Sequence, residues 1–315
     1  MAANDETRKE FLRDELGAYL TELGERDSRV VVVNADLSKT SRNTEFVRQY
    51  PDRAFNVGIA EQNMVSFAAG LAHEGFMPFA YTMAPFMSMR ACEQCRTDVA
   101  YANLPVRLIG TYAGVSGGIS GATHWGMEDC AIMTAMPDMT VLEPSDVVQG
   151  KKMMDALLQL QGPAYMRISV EPTFPIYDEA CDFEIGKASI AYPGGDGAFI
   201  CSGITVKYAV LAAKSIEAKT GKSIRVVDMH TVKPIDRQAV LNAAATGKIV
   251  VAQDHLLHGG LASLVSEILA EEGCAVRYCS RGIPDCFETM AHAPFLYHKF
   301  LLDAEGLENS MLQLF

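Results

Sequence analysis

Two side chains that could move protons lie just beyond short apolar runs. Glu61 follows Val57-Gly58-Ile59 at a predicted strand-to-helix turn, and His124 ends a glycine-rich stretch at residues 114–124. In open parallel sheets ligands gather at the carboxyl ends of strands, so a carboxyl group placed there, in an apolar neighbourhood, can exchange protons with a ligand. Glu61 is therefore a candidate catalytic residue, although the helix dipole alone would also favour a glutamate there.

The glycine-rich stretch admits two interpretations. Ser116 fits the G-x-S-x-G pattern of a serine-hydrolase elbow, and His124 follows in the same stretch. An elbow needs a helix directly after the serine, yet Gly117 and Gly118 follow, and glycine is among the poorest helix formers. The stretch is better explained as a flexible loop that presents His124 beside a ligand.

Two further segments could line a binding site. Asp36, with Thr40 nearby, follows the valine run at residues 30–33, and the local interpretation is a turn or helix cap. Between residues 78 and 90, large apolar side chains are interleaved with small ones, which indicates either core packing or an apolar wall for an aromatic cofactor. Those large side chains are Phe79, Tyr81, Met83, Phe86 and Met89.

The pattern around these residues predicts a parallel sheet covered on both faces. Short β-branched runs at residues 29–33, 106–110, 140–142 and 164–168 alternate with helical patterns. The clearest helix spans residues 61–74, where an apolar stripe recurs at helical spacing and Gly75 ends it. The stripe consists of Met64, Phe67, Ala68 and Leu71.

A second alternation of strands and helices begins after residue 186. Strands are predicted at residues 197–201, 223–229 and 248–253, and helices at residues 206–220 and 237–245. The fold class is therefore α/β, with two parallel or mostly parallel three-layer domains. We expect the first domain at residues 1–175, a linker at residues 176–186 and the second domain at residues 187–315. The region after residue 288 is predicted to be helical, with its aromatic side chains in the core.

Composition argues against several classes of protein. The 315 residues are 49% hydrophobic, and the formal net charge of −12 argues against nucleic acid as a partner. No apolar run approaches the ~18 residues that cross a bilayer and the N-terminus lacks a signal pattern, so we expect a cytoplasmic protein without a membrane partner. The eight cysteines are expected to be reduced thiols, and the Cys92/Cys95 pair lacks further zinc ligands. Gly195-Asp196-Gly197 is predicted to be a turn, with no metal role.

Taken in order, four segments resemble the C-terminal half of transketolase. They are Ala35-Asp36-Leu37, Gly58-Ile59-Ala60-Glu61-Gln62, Gly121-Ala122-Thr123-His124 and residues 229–236. The resemblance covers essentially the whole chain, and it implies a pyrimidine-binding domain for thiamine diphosphate followed by a transketolase C-terminal domain. It also implies reversible transfer of a two-carbon ketol unit from a ketose to an aldose.

The resemblance implies a role for each candidate residue. Glu61 would share a proton with the ring nitrogen of the cofactor's aminopyrimidine, and Phe86 would stack on that ring. His124 would hydrogen-bond the substrate oxygen that becomes an alkoxide, which makes Glu61 and His124 the catalytic pair. The other positions line the cofactor pocket or the substrate channel: Met83, Met89 and Asp36 at the cofactor, and Asp36, Arg8, Thr40, Tyr112 and Ser120 at the substrate.

The resemblance also implies a partner. Family members carry a further N-terminal domain that binds the cofactor's diphosphate through Mg²⁺ or Ca²⁺, and a separate A subunit would supply that domain here. The chain would then be the B subunit of a split transketolase, assembled as A2B2 and inactive alone. The alternatives are a β-type subunit of a 2-oxo acid dehydrogenase, a deoxyxylulose-phosphate-synthase-like enzyme, and a non-catalytic regulatory subunit.

Three positions depart from the family pattern. Tyr112 stands where relatives usually have histidine, Ser120 replaces an aspartate, and Val170 replaces the last arginine of an Arg-x-Ser-Arg segment that begins here at Arg167. A charge-assisted arginine contact contributes about 1.5–3 kcal/mol, so its loss should weaken the binding of ordinary sugar phosphates about tenfold or more. We therefore expect a sulfonated sugar, a branched sugar phosphate or a non-phosphorylated sugar as substrate, with Arg8 as a remaining anion contact. The alternative is that other pocket residues compensate.

Overall fold

The alternating runs of the sequence form two β-sheets, and the computed structural model describes residues 6–315. Valine and isoleucine recur in the strands because β-branched side chains pack well on a pleated, buried surface. The strands are β1 (Val30–Asn34), β2 (Ala54–Asn56), β3 (Met77–Met83), β4 (Arg107–Thr111), β5 (Thr140–Leu142), β6 (Ala164–Ile168), β7 (Ser189–Tyr192), β8 (Gly197–Cys201), β9 (Ile224–Asp228), β10 (Thr231–Lys233), β11 (Lys248–Leu256) and β12 (Arg277–Ile283).

Helices connect most of the strands. They are α1 (Leu12–Arg26), α2 (Thr44–Gln49), α3 (Glu61–His73), α4 (Cys92–Gln94), α5 (Asp129–Thr134), α6 (Val147–Gln159), α7 (Ile204–Thr220), α8 (Arg237–Ala244), α9 (Leu261–Glu271), α10 (Ala293–Lys299) and α11 (Ala304–Leu312). No helix within residues 6–315 combines the length and the apolar character needed to cross a membrane.

The first sheet has the strand order β10-β5-β6-β4-β3-β1-β2, and every neighbouring pair is parallel except β10 with β5. The second sheet has the order β12-β11-β8-β9-β7, and only the edge strand β7 is antiparallel. The predicted fold class, two mostly parallel α/β sheets, is confirmed.

Each sheet is buried on both faces, because alternate residues of a strand point to opposite sides. In the first sheet Val33 packs in a core cluster with α3, whereas Val32 packs in a cluster with α1 and α6. In the second sheet Phe199 packs with α7 and α11, and Ile200 packs with α8 and α9. Each sheet with its two helical coverings therefore forms three layers.

Two details of the predicted packing are wrong. Phe67 is 38% exposed, because it lies over the edge strand β2, where its ring packs against Phe55 with centroids 5.2 Å apart. The buried face of α3 runs instead through Met64, Val65 and Ala68. In the C-terminal region Tyr297 is buried as predicted, but Phe295 is 60% exposed on the outer side of α10.

Strand β10 is not evident as a strand in the sequence. It lies within residues 229–236, beyond the predicted linker, yet it pairs with β5 and so closes one edge of the first sheet. Glu143, directly after β5, donates its backbone N–H to the carbonyl of His230 at 2.8 Å. The second half of the chain therefore contributes a strand to the first sheet.

Candidate active site

The carboxyl ends of four parallel strands meet at one edge of the first sheet. Strands β1, β3, β4 and β6 end there, at Asn34, Met83, Thr111 and Ile168. The segments that follow them carry most of the candidate residues, because parallel strands deliver their C-terminal loops to the same side.

Glu61 is the first residue of α3, and its side chain is only 4% exposed. Its Oε1 accepts a hydrogen bond from Arg90 Nη1 at 3.1 Å, and Thr82 Oγ1 lies 3.5 Å from the same oxygen. The apolar neighbourhood expected around Glu61 also contains a guanidinium, which reaches the carboxylate from the segment after β3. A buried carboxylate is stabilised by such a charged partner.

Arg90 and Phe86 together connect Glu61 to His124. It begins a short π-helical turn, Phe86–Arg90, directly after Pro85. The Arg90 guanidinium carbon lies 3.7 Å from the centroid of the Phe86 ring, and the His124 ring meets Phe86 at 5.3 Å and 67°. Arg90, a residue that the sequence did not single out, thus contacts both Glu61 and Phe86, and Phe86 in turn contacts His124.

His124 closes a short 3₁₀ turn, Ala122–His124, that follows Gly121 in the left-handed region at φ 77°. Its Nδ1 lies 2.8 Å from Thr123 Oγ1. This contact orients the half-buried ring and directs Nε2 away from Thr123, so that the second nitrogen can exchange a hydrogen bond with a ligand.

Asp36 and Thr40 lie in the irregular segment after β1. Asp36 is exposed in the left-handed region at φ 58°, its Oδ1 accepts a hydrogen bond from Asn56 Nδ2 at 2.9 Å, and its N–H donates to Asn56 Oδ1 at 3.0 Å. These bonds suit the local interpretation as a turn residue. Neither Asp36 nor Thr40 makes a hydrogen bond or an ion pair with Glu61 or His124.

Tyr112 directly follows β4 with φ 61°, a left-handed conformation that strains a residue with a Cβ by about 1–3 kcal/mol. Its hydroxyl accepts a hydrogen bond from Arg13 Nη1 at 3.4 Å, and the Arg13 guanidinium lies 5.9 Å from its ring. Arg13 is only 14% exposed and shares Asp14 Oδ1 with Arg42, so the three side chains carry a net positive charge. Arg13 is a site residue that the sequence patterns did not indicate.

Arg8 does not reach Tyr112. Its side chain is 66% exposed and pairs with Glu10 at 3.1 Å. Arg13 differs because it lies in the first turn of α1, a helix that runs antiparallel to β1 and so begins at the carboxyl edge of the sheet.

The remaining candidates lie near the surface of this edge. Met83 is the half-buried last residue of β3, Met89 is 47% exposed, and Ser120 is exposed at the end of the 3₁₀ turn Gly118–Ser120. None of the three makes a side-chain hydrogen bond with Glu61 or His124. In the same region Phe79 and Tyr81 are fully buried, so the core interpretation of these two aromatic residues is confirmed.

The loop that carries His124 is fixed at its base. Ser116 is buried, its Oγ donates to the carbonyl of Ala113 at 2.6 Å, and no α-helix follows it, which removes the serine-hydrolase interpretation. Trp125 Nε1 donates to the carbonyl of Gly118 at 3.0 Å, and the N–H of Val115 donates to Asp254 Oδ1 at 2.9 Å. Burial raises the pKa of Asp254 to about 7. The second half of the chain therefore helps to hold the loop.

Arg167 lies beneath the same edge and is completely buried. It donates to Asp129 through Nε at 2.9 Å and to Glu143 through Nη1 at 2.7 Å, and it also bonds the backbone carbonyl of Asp254. Burial acts to lower the pKa of Arg167, but Asp129 and Glu143 outweigh it and hold that pKa well above its ordinary value. Glu143 in turn accepts a hydrogen bond from Ser202 Oγ at 2.6 Å, so this network joins the two sheets.

Other side chains with possible metal or redox chemistry form no site. Asp196 accepts a hydrogen bond from the N–H of Ser223 at 2.8 Å, in a turn that leads directly into β8, as predicted. Burial raises the pKa of the Cys95 thiol, and both Cys92 and Cys95 are free. Within residues 6–315, no three histidine, cysteine, aspartate or glutamate side chains are arranged to hold a metal ion.

Comparison with known proteins identifies two domains. Residues 12–172 match the model of the transketolase pyrimidine-binding domain, and residues 186–307 match the model of the transketolase C-terminal domain.

Several relatives match along nearly their whole length. The 6-deoxy-6-sulfo-D-fructose transketolase subunit SqwH of Clostridium sp. is 40% identical over 298 residues, with 94% of this chain and 92% of the relative covered. The B subunit of the apulose-4-phosphate transketolase of Phocaeicola vulgatus is 33% identical, with 93% and 94% covered. A solved structure of a split-gene transketolase, an inactive β4 tetramer, superposes with a TM-score of 0.86 at 34% identity and covers 96% of this chain and 97% of that one.

Proposed function

The chain belongs to the transketolase family, and from this premise we propose that it is the B subunit of a split transketolase that uses thiamine diphosphate. In complex with an A subunit it would transfer a two-carbon ketol unit from a ketose to an aldose. Two relatives named as transketolase subunits, each matched over more than nine-tenths of its length, support this assignment.

The observation that carries the proposal is the grouping of Glu61, Phe86 and His124 at the carboxyl edge of the first sheet. The residues present fit an aminopyrimidine. Glu61 and Phe86 already hold a flat group that bears N–H donors, the guanidinium of Arg90, with its central carbon over the ring and one N–H bonded to the carboxylate. An aminopyrimidine is likewise flat and offers a ring nitrogen and an amino group, so the same two side chains can bind it.

The roles of the side chains follow from their positions. Thiamine diphosphate, when bound, supplies the electron sink that cleavage of a carbon–carbon bond next to a carbonyl requires. Glu61 would share a proton between its carboxyl group and the pyrimidine ring nitrogen, and Phe86 would fix the plane of that ring. His124, with Nδ1 engaged by Thr123, would use Nε2 to bind and protonate the substrate oxygen.

We further propose that the A subunit holds the diphosphate and a Mg²⁺ or Ca²⁺ ion, and that the active assembly is A2B2. A divalent ion of this kind needs six or more oxygen ligands in a defined geometry. The side chains that surround Glu61 include an arginine and aromatic rings, a donor set suited to an organic ring and unsuited to such an ion.

The substrate is proposed to be a ketose with a terminal anion. Arg13, nearly buried beside Tyr112, supplies a positive charge in place of the arginine that relatives have where this chain has Val170. Arg13 and Arg42 share one carboxylate, Asp14, so one positive charge stays uncompensated. A relative at 40% identity is named for a sulfonated fructose, which makes 6-deoxy-6-sulfofructose the first donor to test. A planar guanidinium binds sulfonate and phosphate oxygens alike, so phosphorylated ketoses are the second group of donors to test.

The test is reconstitution with an A-type subunit in the presence of thiamine diphosphate and Mg²⁺, followed by a screen of ketose donors. Glu61→Gln should lower kcat by about 100-fold or more while the complex still assembles, because a positioned acid or base contributes about 10²–10⁴-fold. Glu74→Gln, an exposed residue just past the other end of α3, is the matched control and should retain full activity. More than a tenth of wild-type kcat in Glu61→Gln would exclude the assigned role.

The same screen separates the alternative functions. Turnover that requires pyruvate and releases CO₂ would favour a deoxyxylulose-phosphate-synthase-like enzyme, and no turnover with any ketose would favour a regulatory role. Val170→Arg should improve turnover of phosphorylated acceptors relative to the wild type, since it adds a cation at the carboxyl edge near β6.

A further inference from the structure

The guanidinium of Arg90 lies against the two side chains that the proposed function assigns to the aminopyrimidine. Its carbon is 3.7 Å from the Phe86 ring centroid, which is van der Waals contact with that face of the ring. Its Nη1 is bonded to Glu61 Oε1 at 3.1 Å. A pyrimidine stacked on the same face of Phe86 would need the layer of space that the guanidinium occupies and would compete for the same carboxylate, so the two groups exclude each other.

The two partners differ in how firmly they are held. Glu61 is 4% exposed and is fixed by the first turn of α3, whereas Arg90 is 50% exposed at the end of the turn Phe86–Arg90. The arginine side chain can therefore rotate into solvent without disturbing the core, while Glu61 and Phe86 stay in place. Cation–π contacts and ion pairs at exposed positions are individually weak, so a competing ring can displace this side chain.

From this geometry we infer that Arg90 is an internal competitor for the aminopyrimidine pocket. In the chain alone it covers Phe86 and neutralises Glu61, and cofactor entry moves it aside. This inference rests on the proposed function, since it identifies the pocket by the role assigned to Glu61 and Phe86. Its consequence is that the chain without its partner binds pyrimidines more weakly than its pocket would otherwise allow.

The test compares pyrimidine affinity in variants of the isolated full-length chain. The probe is 4-amino-5-hydroxymethyl-2-methylpyrimidine, titrated by calorimetry into the wild type, Arg90→Met, Arg96→Met and Phe86→Ala. Arg90→Met keeps an unbranched apolar stem but removes the cation, and it should bind the probe about tenfold more tightly than the wild type. Arg96 is exposed on the next segment and does not touch Glu61 or Phe86, so Arg96→Met should match the wild type.

A second measurement follows the arginine itself. In the wild-type chain the Nε–H resonance of Arg90, identified by its loss in Arg90→Met, should be shifted upfield by the ring current of Phe86. Saturating probe should return it toward the position of a free arginine. In the reconstituted complex, thiamine diphosphate with Mg²⁺ should produce the same change, and its Kd should also fall about tenfold in Arg90→Met.

The outcomes distinguish the inference from the function on which it rests. Equal or weaker probe binding by Arg90→Met, together with lost binding in Phe86→Ala, would leave the pyrimidine site standing and overturn the role of Arg90. An Arg90 Nε–H resonance that does not shift when the probe is added would also overturn the role of Arg90. Binding that survives Phe86→Ala would refute the pyrimidine site. No binding by the wild type and Arg90→Met alike would overturn the role of Arg90, and the proposed function is tested separately by turnover of the reconstituted complex.

Discussion

Replacing Arg167 with methionine should destabilise the chain strongly, because it would leave two buried carboxylates without their cation. Asp129 and Glu143 are bonded to Arg167 at 2.9 and 2.7 Å, and all three side chains are at most 3% exposed. Removal of one partner from a buried ion pair costs about 3–5 kcal/mol. With a urea m-value of about 3 kcal/mol/M for a chain of this size, a loss of about 4 kcal/mol lowers the midpoint by about 1.3 M.

The assay is urea unfolding of the isolated chain followed by far-UV circular dichroism. Arg237→Met is the matched control, since Arg237 also pairs with two carboxylates, Glu271 and Glu272, but is 44% exposed. It should leave the midpoint unchanged within error, because solvent screens such pairs. The triple variant that combines Arg167→Met with Asp129→Asn and Glu143→Gln should recover part of the loss. Equal midpoints for Arg167→Met and Arg237→Met would refute the reasoning.

Three further predictions concern the base of the His124 loop. As pH rises from 5 to 7, the free energy of unfolding of Asp254→Asn should increase relative to that of the wild type, by up to about 1.4 kcal/mol per pH unit. A carboxyl group whose pKa is raised to about 7 by burial stabilises the fold while protonated and loses that contribution as pH rises; a pH-independent difference in urea midpoint would contradict this. Gly114→Ala should cost about 2–4 kcal/mol, since its Cβ would lie 2.0 Å from Asp254 Cγ at a φ of 58°, whereas Gly75→Ala, at φ 91° with open space around it, should cost about 1 kcal/mol in the same assay. Ser116→Ala should lose about 1 kcal/mol, from its bond to Ala113, and neither it nor the wild type should react with a fluorophosphonate probe; labelling that disappears in Ser116→Ala would restore the hydrolase interpretation.

The position of the candidate site could be predicted because it follows from the topology of a parallel sheet. Once β-branched runs alternate with helices, their carboxyl ends must share one edge. Glu61 and Phe86 lie within five residues of such ends, and the loop that follows β4 carries His124. Local rules were sufficient for each step: the periodicity of α3, the glycines before His124, and the poor helix propensity after Ser116.

The long charged side chains could not be placed in the same way. Arg90 and Arg13 each have several rotatable bonds, so their partners depend on tertiary neighbours that leave no mark on local spacing. Arg167 stands out in the sequence only as the first residue of the segment in which Val170 replaces the family's second arginine, and its burial between Asp129 and Glu143 depends on contacts between distant segments. Strand β10 lies beyond the predicted linker, and its place at the edge of the first sheet depends on a long-range antiparallel pairing with β5.

The pairing of β10 with β5 has a consequence for synthesis of the chain. Strand β5 ends at Leu142, and the strand that covers its edge begins about ninety residues later at Thr231. At roughly 5–20 residues per second, the ribosome leaves that edge unpaired for about 4–18 seconds. An uncovered strand edge is a template for pairing with other chains, so crowded polysomes and fragments that stop before Thr231 should be prone to aggregation.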